Sequence, residues 1–370
     1  MTANPTIATP VPAPLHAPGS APPPAQLLQR LQQFPPRHIA TPSGQIAYRQ
    51  SGAAARPTHV LLHGIGSSSA NWLAQLEAAA LNSAFCLLAW DAPGYGSSDA
   101  LSMDTPTAAD YAQRLWAWLG AMDALRAQDA KSDATSDAAS AAVASSFILV
   151  GHSLGCLMAA SAAVQQPQRV GRLILLAPAQ GHARAPAAER DKKLQDRLDT
   201  LARLGPAGMA QARGAAMLSA SASADQVAFV QHAMAQINPA GYAQAARMLA
   251  GGDLLSDVGQ FADQAAIQDG KSARPVVLVA SGSADTITPP AGCQQVAAHI
   301  KAPYVSLGAV GHACAVEAAD EVTRLIGLAA GAATSVPPAA TAFAPASASS
   351  VPAAPTTTPV ANVAPWKAAP

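Results

Sequence analysis

Short apolar runs alternate with helical patterns along most of the chain, and this alternation restricts the possible folds more than any other feature. Nearly continuous apolar runs are typical of parallel strands that are covered on both faces. Helices between such strands predict an α/β fold, with a parallel sheet between two helical layers. Strands are predicted at residues 59–62, 85–90, 147–150, 173–176, 275–280 and 304–307, and helices at 71–80, 108–125, 154–166, 290–299 and 315–329.

Two further β-rich segments precede this alternation. Residues 38–40 and 45–50 are joined by Thr41-Pro42-Ser43-Gly44, a sequence of turn-forming residues. They predict an antiparallel hairpin at the sheet edge. Added to the six later runs, the hairpin predicts a mostly parallel sheet of about eight strands with helices on both faces.

One long block interrupts the alternation. Residues 180–270 contain no convincing strand, only helical patterns that are broken at Pro206, Pro239 and Gly251-Gly252. A helical insertion between two sheet strands lies where ligands bind in α/β folds, and it is a candidate lid. We expect a helical cap at 180–270, inserted after the sixth strand, with the α/β core formed in two parts by residues 26–179 and 271–330.

Three segments are of low complexity. Residues 1–25 are rich in Pro and Ala, and residues 331–370 are rich in Ala, Pro, Ser and Thr, with Lys367 as the single charge. Neither repeats a hydrophobic period, so both are predicted to be disordered tails. Residues 128–146 are rich in Ala, Ser and Asp and are predicted to form a solvated surface insertion.

Charge and cysteine content exclude several classes of protein. The 22 basic and 22 acidic side chains balance, and charged residues are only 12% of the chain, so no basic surface for nucleic acid is expected. The four cysteines are Cys86, Cys156, Cys293 and Cys314, without a C-x-x-C pair. Their spacing is unlike a disulfide scaffold or a thiolate zinc site and fits a reducing cytosol.

Neither an export signal nor a membrane span is predicted. The first basic residue is Arg30, and the stretch before it lacks the apolar segment of a signal peptide. The longest apolar run, residues 147–164, carries His152 and Ser153 and two glycines, so we interpret it as a buried strand that leads into a buried helix. A cytoplasmic protein is expected.

The motif Gly151-His152-Ser153-Leu154-Gly155 follows one predicted strand and opens the helix predicted at 154–166. This strand–turn–helix context is what a G-x-S-x-G nucleophile elbow requires. The turn is so tight that side chains two positions on either side of the serine would clash, and Gly151 and Gly155 have none. The pattern predicts Ser153 as a nucleophile, with the Leu154 N–H directed at an oxyanion.

With these motifs the chain resembles the α/β-hydrolase fold family from about residue 45 to residue 329. Leu62-His63-Gly64-Ile65-Gly66 follows the third strand, and the resemblance implies that the Ile65 N–H is the second oxyanion donor. Asp91-Ala92-Pro93-Gly94-Tyr95-Gly96-Ser97-Ser98 is similar to the family's D-x-x-G-x-G-x-S turn, in which Asp91 organises a loop. The resemblance also implies the order nucleophile, acid, histidine.

His312 and Asp285 are the candidates for the base and the acid. His312 stands in Gly311-His312-Ala313, shortly after the last predicted strand, at the same edge as the elbow. Asp285 closely follows the strand predicted at 275–280, and the sequence Thr286-Ile287-Thr288-Pro289 leads from it into the next helix. The other histidines after Ser153, and the aspartates weighed against Asp285, are His182, His232, His299, Asp253, Asp257 and Asp320.

Methionines and arginines recur in the helical block, and each type allows two interpretations. Methionines are expected to pack between helices or to line an apolar acyl pocket. Arginines are expected to face water, or one of them to receive a substrate carboxylate. Cys314 is expected to be an inert buried thiol. The residues concerned are Met209, Met217, Met234 and Met248, and Arg184, Arg203, Arg213 and Arg247.

The predicted function is hydrolysis of a carboxylic ester, a lactone or a related small-molecule acyl compound by Ser153, His312 and Asp285. No metal or organic cofactor is expected, and the sequence assigns no oligomeric state. Three alternatives use the same fold. They are a C–C bond hydrolase or enol-lactonase of aromatic catabolism, a cofactor-free lyase or perhydrolase, and a non-catalytic ligand-binding protein.

Overall fold

Eight strands form one sheet in the computed structural model, which describes residues 25–132, 146–268 and 276–328. All of these residues belong to one compact unit. The strands are β1 (Arg37–Thr41), β2 (Gly44–Ser51), β3 (His59–Leu62), β4 (Leu87–Trp90), β5 (Phe147–His152), β6 (Val170–Leu176), β7 (Val276–Ser281) and β8 (Tyr304–Ser306). Their order in the sheet is β1-β2-β4-β3-β5-β6-β7-β8. Strand β2 is antiparallel to β1 and β4, and the other pairs are parallel, which confirms the predicted fold class.

Eleven α-helices surround this sheet in the described residues. They are α1 (Ala25–Gln32), α2 (Leu73–Ala80), α3 (Ala108–Ser132), α4 (Gly155–Gln165), α5 (Ala187–Arg213), α6 (Ala224–Ala235), α7 (Pro239–Gly251), α8 (Leu254–Gln268), α9 (Pro290–His299), α10 (Cys314–Glu317) and α11 (Ala319–Leu325). Within the described ranges, none of them combines the length and the apolar character that a membrane crossing needs.

The strands bury both of their faces, because alternate side chains point to opposite sides of a sheet. Val60 and Leu62 of β3 belong to a hydrophobic cluster with α3, α4 and α9. Leu61, between them, belongs to a second cluster with α2, α10 and α11. This two-sided burial explains why β3 is apolar at every position after His59.

Most strand and helix ends are shifted by one to three residues, and three features differ more from the sequence-based expectations. Helix α3 continues to Ser132 and so includes the first residues of the predicted surface insertion at 128–146, since Gln128, Ala130 and Lys131 are good helix formers. The helix predicted at 315–329 is divided at Ala318 (φ −114°, ψ 48°) into α10 and α11. Helix α1 was not predicted. Residues 1–24 of the first predicted tail, the whole second tail and residues 133–145 of the insertion lie outside the described residues.

Helices α5 to α8 lie between β6 and β7. We call α5 to α7 the cap, because α8 packs against α4 beside the sheet. Helix α5 changes direction at Gly205, whose φ of 62° and ψ of 176° are conformations that only glycine adopts readily. Pro206 follows as the first residue of the next helical segment, where its missing N–H leaves no bond unmade. Helix α7 begins at Pro239, and the Asn238 side chain accepts hydrogen bonds from the first turn.

The two connections between the cap and the sheet run side by side. We call these segments, residues 180–183 and 249–254, the neck. The His182 N–H donates to Leu249 O (3.1 Å), the Ala183 N–H to Gly252 O (3.1 Å), and the Leu254 N–H to Gln180 O (3.0 Å). The chain therefore enters and leaves the cap at one place.

Candidate active site

Ser153 lies on a sharp turn between the end of β5 and the beginning of α4. Its φ is 52°, a left-handed conformation that is strained for a residue with a side chain. A Cβ atom at Gly151 would lie 2.6 Å from Gly155 O, and one at Gly155 would overlap Leu62 O. The spacing of the two glycines around Ser153 is thus required by backbone contacts that leave no room for a side chain.

Two backbone N–H groups near Ser153 are available to a ligand. Leu154 precedes the first residue of α4, and Ile65 lies in the loop after β3. Neither N–H donates to a backbone or side-chain acceptor in the part of the chain that the structure describes. Ile65 also lines the cavity that contains Ser153. Such N–H groups can stabilise the negative oxygen of a tetrahedral intermediate.

The structure joins the predicted acid and base directly. His312 Nδ1 donates to Asp285 Oδ2 (2.9 Å), and both side chains are almost completely buried. Asp285 Oδ1 accepts from the backbone N–H groups of Ile287 (2.8 Å) and Thr288 (2.9 Å). The Thr288 hydroxyl lies 2.8 Å from Asp285 Oδ2, 3.0 Å from Ala177 O and 3.1 Å from His312 Nδ1.

These contacts determine the protonation state of the Asp285 carboxyl group. Burial alone would raise the pKa of its carboxyl group, but the hydrogen bond and charge of His312 and the two hydrogen bonds from Thr288 outweigh burial. The pKa of Asp285 is therefore lower than the ordinary value, and the carboxylate is ionised at neutral pH. An ionised Asp285 holds the proton of the imidazole on Nδ1 and leaves Nε2 free to accept one.

A cavity of about 340 Å³ brings the predicted residues together. Ser153, Ile65, Thr288 and His312 all line it, below the cap. The described residues include no hydrogen bond between Ser153 and His312, whereas His312 and Asp285 are bonded. Nucleophile–base hydrogen bonds are often long in enzymes without substrate and tighten in the reacting complex.

The two other histidines of the motifs are buried and neutral. His63 Nδ1 donates to Gly64 O (2.9 Å), while its Nε2 accepts from the Ala92 N–H (3.0 Å). His152 Nε2 donates to the backbone oxygen of His312 (2.8 Å). Burial and then the charge of His312 lower the pKa of His152 to about 3, and burial lowers that of His63. Both side chains support the site through fixed hydrogen bonds.

The alternatives to Asp285 as the acid do not line the cavity, and of the alternatives to His312 only His182 does. Asp253 pairs with Arg184 (2.8 Å), and His299 is exposed on α9, where its Nε2 donates to Leu255 O. Burial, with the charge of Asp253, raises the pKa of Asp257 to about 6. His232 and Asp320 are likewise not in contact with the cavity.

The thiols near the site are not nucleophiles. Cys314 is buried two residues after His312, and burial raises its pKa to about 12. Cys293 lines the cavity, and burial raises its pKa to about 11. A thiol of such high pKa is protonated near neutral pH and reacts slowly. Asp91 is outside the cavity and accepts from the Ser69 N–H (2.7 Å), as expected of a loop-forming residue.

The cap closes the cavity with apolar and cationic side chains. Met209, Met217 and Met234 line the cavity, whereas Met248 is buried in the hydrophobic core and does not line it. Arg213 lines it too, whereas the other arginines proposed from the sequence do not. The lining residues that sequence reasoning did not single out include three polar ones, Arg197, Tyr242 and Thr288.

Comparison with known proteins gives the family. The sequence model described as "Alpha/beta hydrolase family" matches residues 60–325. The chain belongs to the alpha/beta hydrolase family. Similar solved structures of this fold include a thermophilic esterase from Thermogutta terrifontis, with a TM-score of 0.61 and 20% identity, covering 79% of this chain and 96% of the esterase.

Two further alpha/beta hydrolase structures show how varied the similar proteins are. An enol-lactonase from Burkholderia xenovorans LB400 is 19% identical, with a TM-score of 0.61 over 78% of this chain and 98% of its own. A bromoperoxidase from Bacillus anthracis is 14% identical, with a TM-score of 0.62 over 79% and 98%. At these identities the similarity defines the fold, and the reaction has to be argued from the residues of the cavity.

Proposed function

We propose that this alpha/beta hydrolase cleaves a carboxylic ester, a lactone or a related acyl compound through an acyl-serine intermediate. Ser153 is the nucleophile, His312 the general base and Asp285 the residue that orients His312. The backbone N–H groups of Leu154 and Ile65 form the oxyanion hole. No step of this mechanism requires a metal ion or an organic cofactor.

The first half of the reaction begins with proton transfer. A serine hydroxyl is a weak nucleophile until a base takes its proton. His312 Nε2 accepts that proton as Ser153 Oγ attacks the substrate carbonyl. The ionised Asp285, 2.9 Å from His312 Nδ1, stabilises the imidazolium that forms. His312 then gives the proton to the leaving group.

The oxyanion and the second half of the reaction use the same residues. In the tetrahedral intermediate the carbonyl oxygen becomes negative, and each N–H donor of an oxyanion hole contributes about 3–4 kcal/mol to its stabilisation. Water then attacks the acyl-serine with His312 as base, and Ser153 is released as the free hydroxyl.

One observation carries the proposal. A buried, hydrogen-bonded pair of His312 and Asp285 adjoins the cavity into which a strained turn holds Ser153. Backbone strain of this kind is retained where the surrounding structure requires it, and such positions cluster at active sites. A protein that only binds a ligand gains nothing from an ionised carboxylate buried behind a histidine.

The test is turnover of short p-nitrophenyl esters by the purified chain. We expect measurable hydrolysis that falls to background in Ser153→Ala, since removal of a triad nucleophile lowers kcat by about 10⁶-fold. A fluorophosphonate probe should label Ser153, with the modified peptide identified by mass spectrometry.

The matched control is Ser161→Ala, which removes a buried serine from α4, the helix that follows Ser153, and does not change the lining of the cavity. This variant should keep the activity and the labelling of the wild type. Full activity in Ser153→Ala, or labelling that survives the substitution, would assign the reaction to another residue.

A further inference from the structure

The cap places two arginines in the wall of the catalytic cavity. Arg197 lies on α5 before the bend at Gly205, and Arg213 is the last residue of the same helix, after the bend. Both line the cavity that contains Ser153. The Arg197 guanidinium donates to the Tyr242 hydroxyl (3.2 Å), which orients it. Because α5 bends, side chains sixteen positions apart meet at one cavity.

Neither arginine has an acidic partner among the described residues. The four acidic side chains on the same helix are bonded elsewhere. Glu189 pairs with Lys193 (2.7 Å), Asp191 with Arg190 (3.2 Å) and Asp196 with Lys192 (2.6 Å), and Asp199 accepts from the Gln195 amide (2.7 Å). Arg213 forms no hydrogen bond or ion pair with any residue in the described ranges. The other arginines of the cap have other partners or are exposed. Arg184 pairs with Asp253, and Arg190 pairs with Asp191. Arg247 donates to the backbone oxygen of Asp104, and Arg203 is exposed.

The electrostatic situation of Arg213 is unfavourable without an anion. The side chain is partly buried, and burial together with the neighbouring Arg197 lowers its pKa from the ordinary value. A guanidinium nevertheless remains protonated at any physiological pH. Two like charges held in a partly buried wall cost free energy unless a negative group binds between them.

The two arginines lie where the catalytic cavity meets a more open one. His182, Arg197 and Arg213 also line an adjoining cavity of about 380 Å³, together with Lys193 and Asp196, and the Asp196 carboxylate pairs with Lys192. The wall of the catalytic cavity also includes Met209, Met217 and Met234, and Met234 lies beside Gly66, the residue after Ile65. The cavity therefore has apolar side chains in its wall as well as Arg197 and Arg213.

We propose that the substrate carries a carboxylate, which Arg213 and Arg197 bind, on an apolar chain whose other end presents the acyl group to Ser153. A guanidinium and a carboxylate match in a planar, two-bond geometry, and such charge-assisted hydrogen bonds are about twice as strong as neutral ones. This inference deepens the proposed hydrolase function and rests on it, because it names the substrate class of the same cavity.

The first experiment compares two esters of equal acyl length, monomethyl adipate and methyl hexanoate, by titration of the acid released. In the wild type, kcat/KM should favour the charged ester. In Arg213→Gln the ratio of the two kcat/KM values should fall at least tenfold, which is about 1.4 kcal/mol. Arg213→Lys should recover part of the ratio, since it restores the charge but not the planar fork.

The control is Arg203→Gln, which removes a charge from the exposed side of the same helix outside both cavities. It should leave the ratio unchanged. A general effect of cap charge on an anionic substrate would instead lower the ratio in both variants, and that result would overturn the assignment to Arg213.

A binding measurement separates this inference from the proposed reaction. Calorimetry on Ser153→Ala should detect monomethyl adipate, with an affinity at least tenfold higher than in Ser153→Ala combined with Arg213→Gln. If both esters are hydrolysed at the same rate and the two affinities agree, the carboxylate site is refuted and the hydrolase stands. If neither ester is hydrolysed but the affinities differ as expected, the carboxylate site stands and the proposed reaction fails.

Discussion

Asp285→Asn is the substitution that tests the proposed charge distribution most directly. The asparagine has the same shape, so the backbone N–H groups of Ile287 and Thr288 determine which way its amide faces. With the amide nitrogen at the Oδ1 position, two hydrogen bonds would be lost, at about 1 kcal/mol each. The oxygen therefore stays there, and the NH₂ group takes the place of Oδ2, 2.9 Å from His312 Nδ1.

The size of the effect follows from this orientation. An NH₂ group facing Nδ1 requires the imidazole to accept there, so the proton of His312 moves to Nε2. A histidine protonated on Nε2 cannot take the proton of Ser153, and in a serine protease triad the same exchange lowers kcat about 10⁴-fold. This corresponds to about 5.5 kcal/mol of transition-state stabilisation. The Thr288 hydroxyl can still donate to Ala177 O (3.0 Å), so the fold should be retained.

The assay is kcat and KM for a short p-nitrophenyl ester, with circular dichroism to verify folding. We expect kcat to fall by about 10⁴ while KM changes little, because Asp285 acts through His312 and does not contact the substrate. Asp257→Asn, at a carboxyl that does not line the cavity, is the control and should keep the wild-type kcat. A folded Asp285→Asn variant with activity within tenfold of the wild type would refute the reasoning.

Two predictions concern stability. Gly155→Ala should lower the free energy of unfolding by about 3 kcal/mol in urea denaturation, because its Cβ would overlap Leu62 O, whereas Gly120→Ala, with no atom within 4 Å, should raise it by up to about 1 kcal/mol. Equal effects would contradict the steric argument. Asp257 has a folded-state pKa of about 6, above its unfolded value, so its contribution to stability is complete below about pH 4 and is lost as the pH rises through 6. Asp257→Asn should therefore stabilise the chain by about 1 kcal/mol more at pH 7 than at pH 4, after allowance for solvent screening, and a pH-independent effect would contradict the raised pKa.

The sequence was most informative where a local pattern determines the backbone. Strand β3 and helix α9 begin and end at the predicted residues, because β3 is an apolar run buried on both sides and α9 starts after Pro289. The elbow around Ser153 was predictable for the same reason, since the two glycines are required by atoms of their immediate neighbours. The division at Ala318 was not predictable, because no proline or glycine marks it.

The wall of the cavity was harder to predict because it depends on contacts distant in sequence. Arg197 lies on a helix rich in charged residues, and nothing in its neighbourhood distinguishes it from Arg203. Its position in the cavity results from the bend at Gly205 and from Tyr242, forty-five residues later. Thr288 lies within the acid loop that the sequence analysis identified, yet its hydroxyl contacts depend on how β6 and the loop of His312 approach it.

The neck has a consequence for the range of substrate specificities that one α/β sheet can support. Since residues 180–183 and 249–254 are bonded to each other, the sheet contacts a closed loop whose ends are already joined. The entropy of closing a loop changes slowly with its length, so helices can be added to or removed from this loop at small thermodynamic cost. Ser153, Asp285 and His312 follow β5, β7 and β8 and lie outside that loop. Exchange of the whole loop would thus alter the wall of the cavity while leaving the proposed catalytic residues in place.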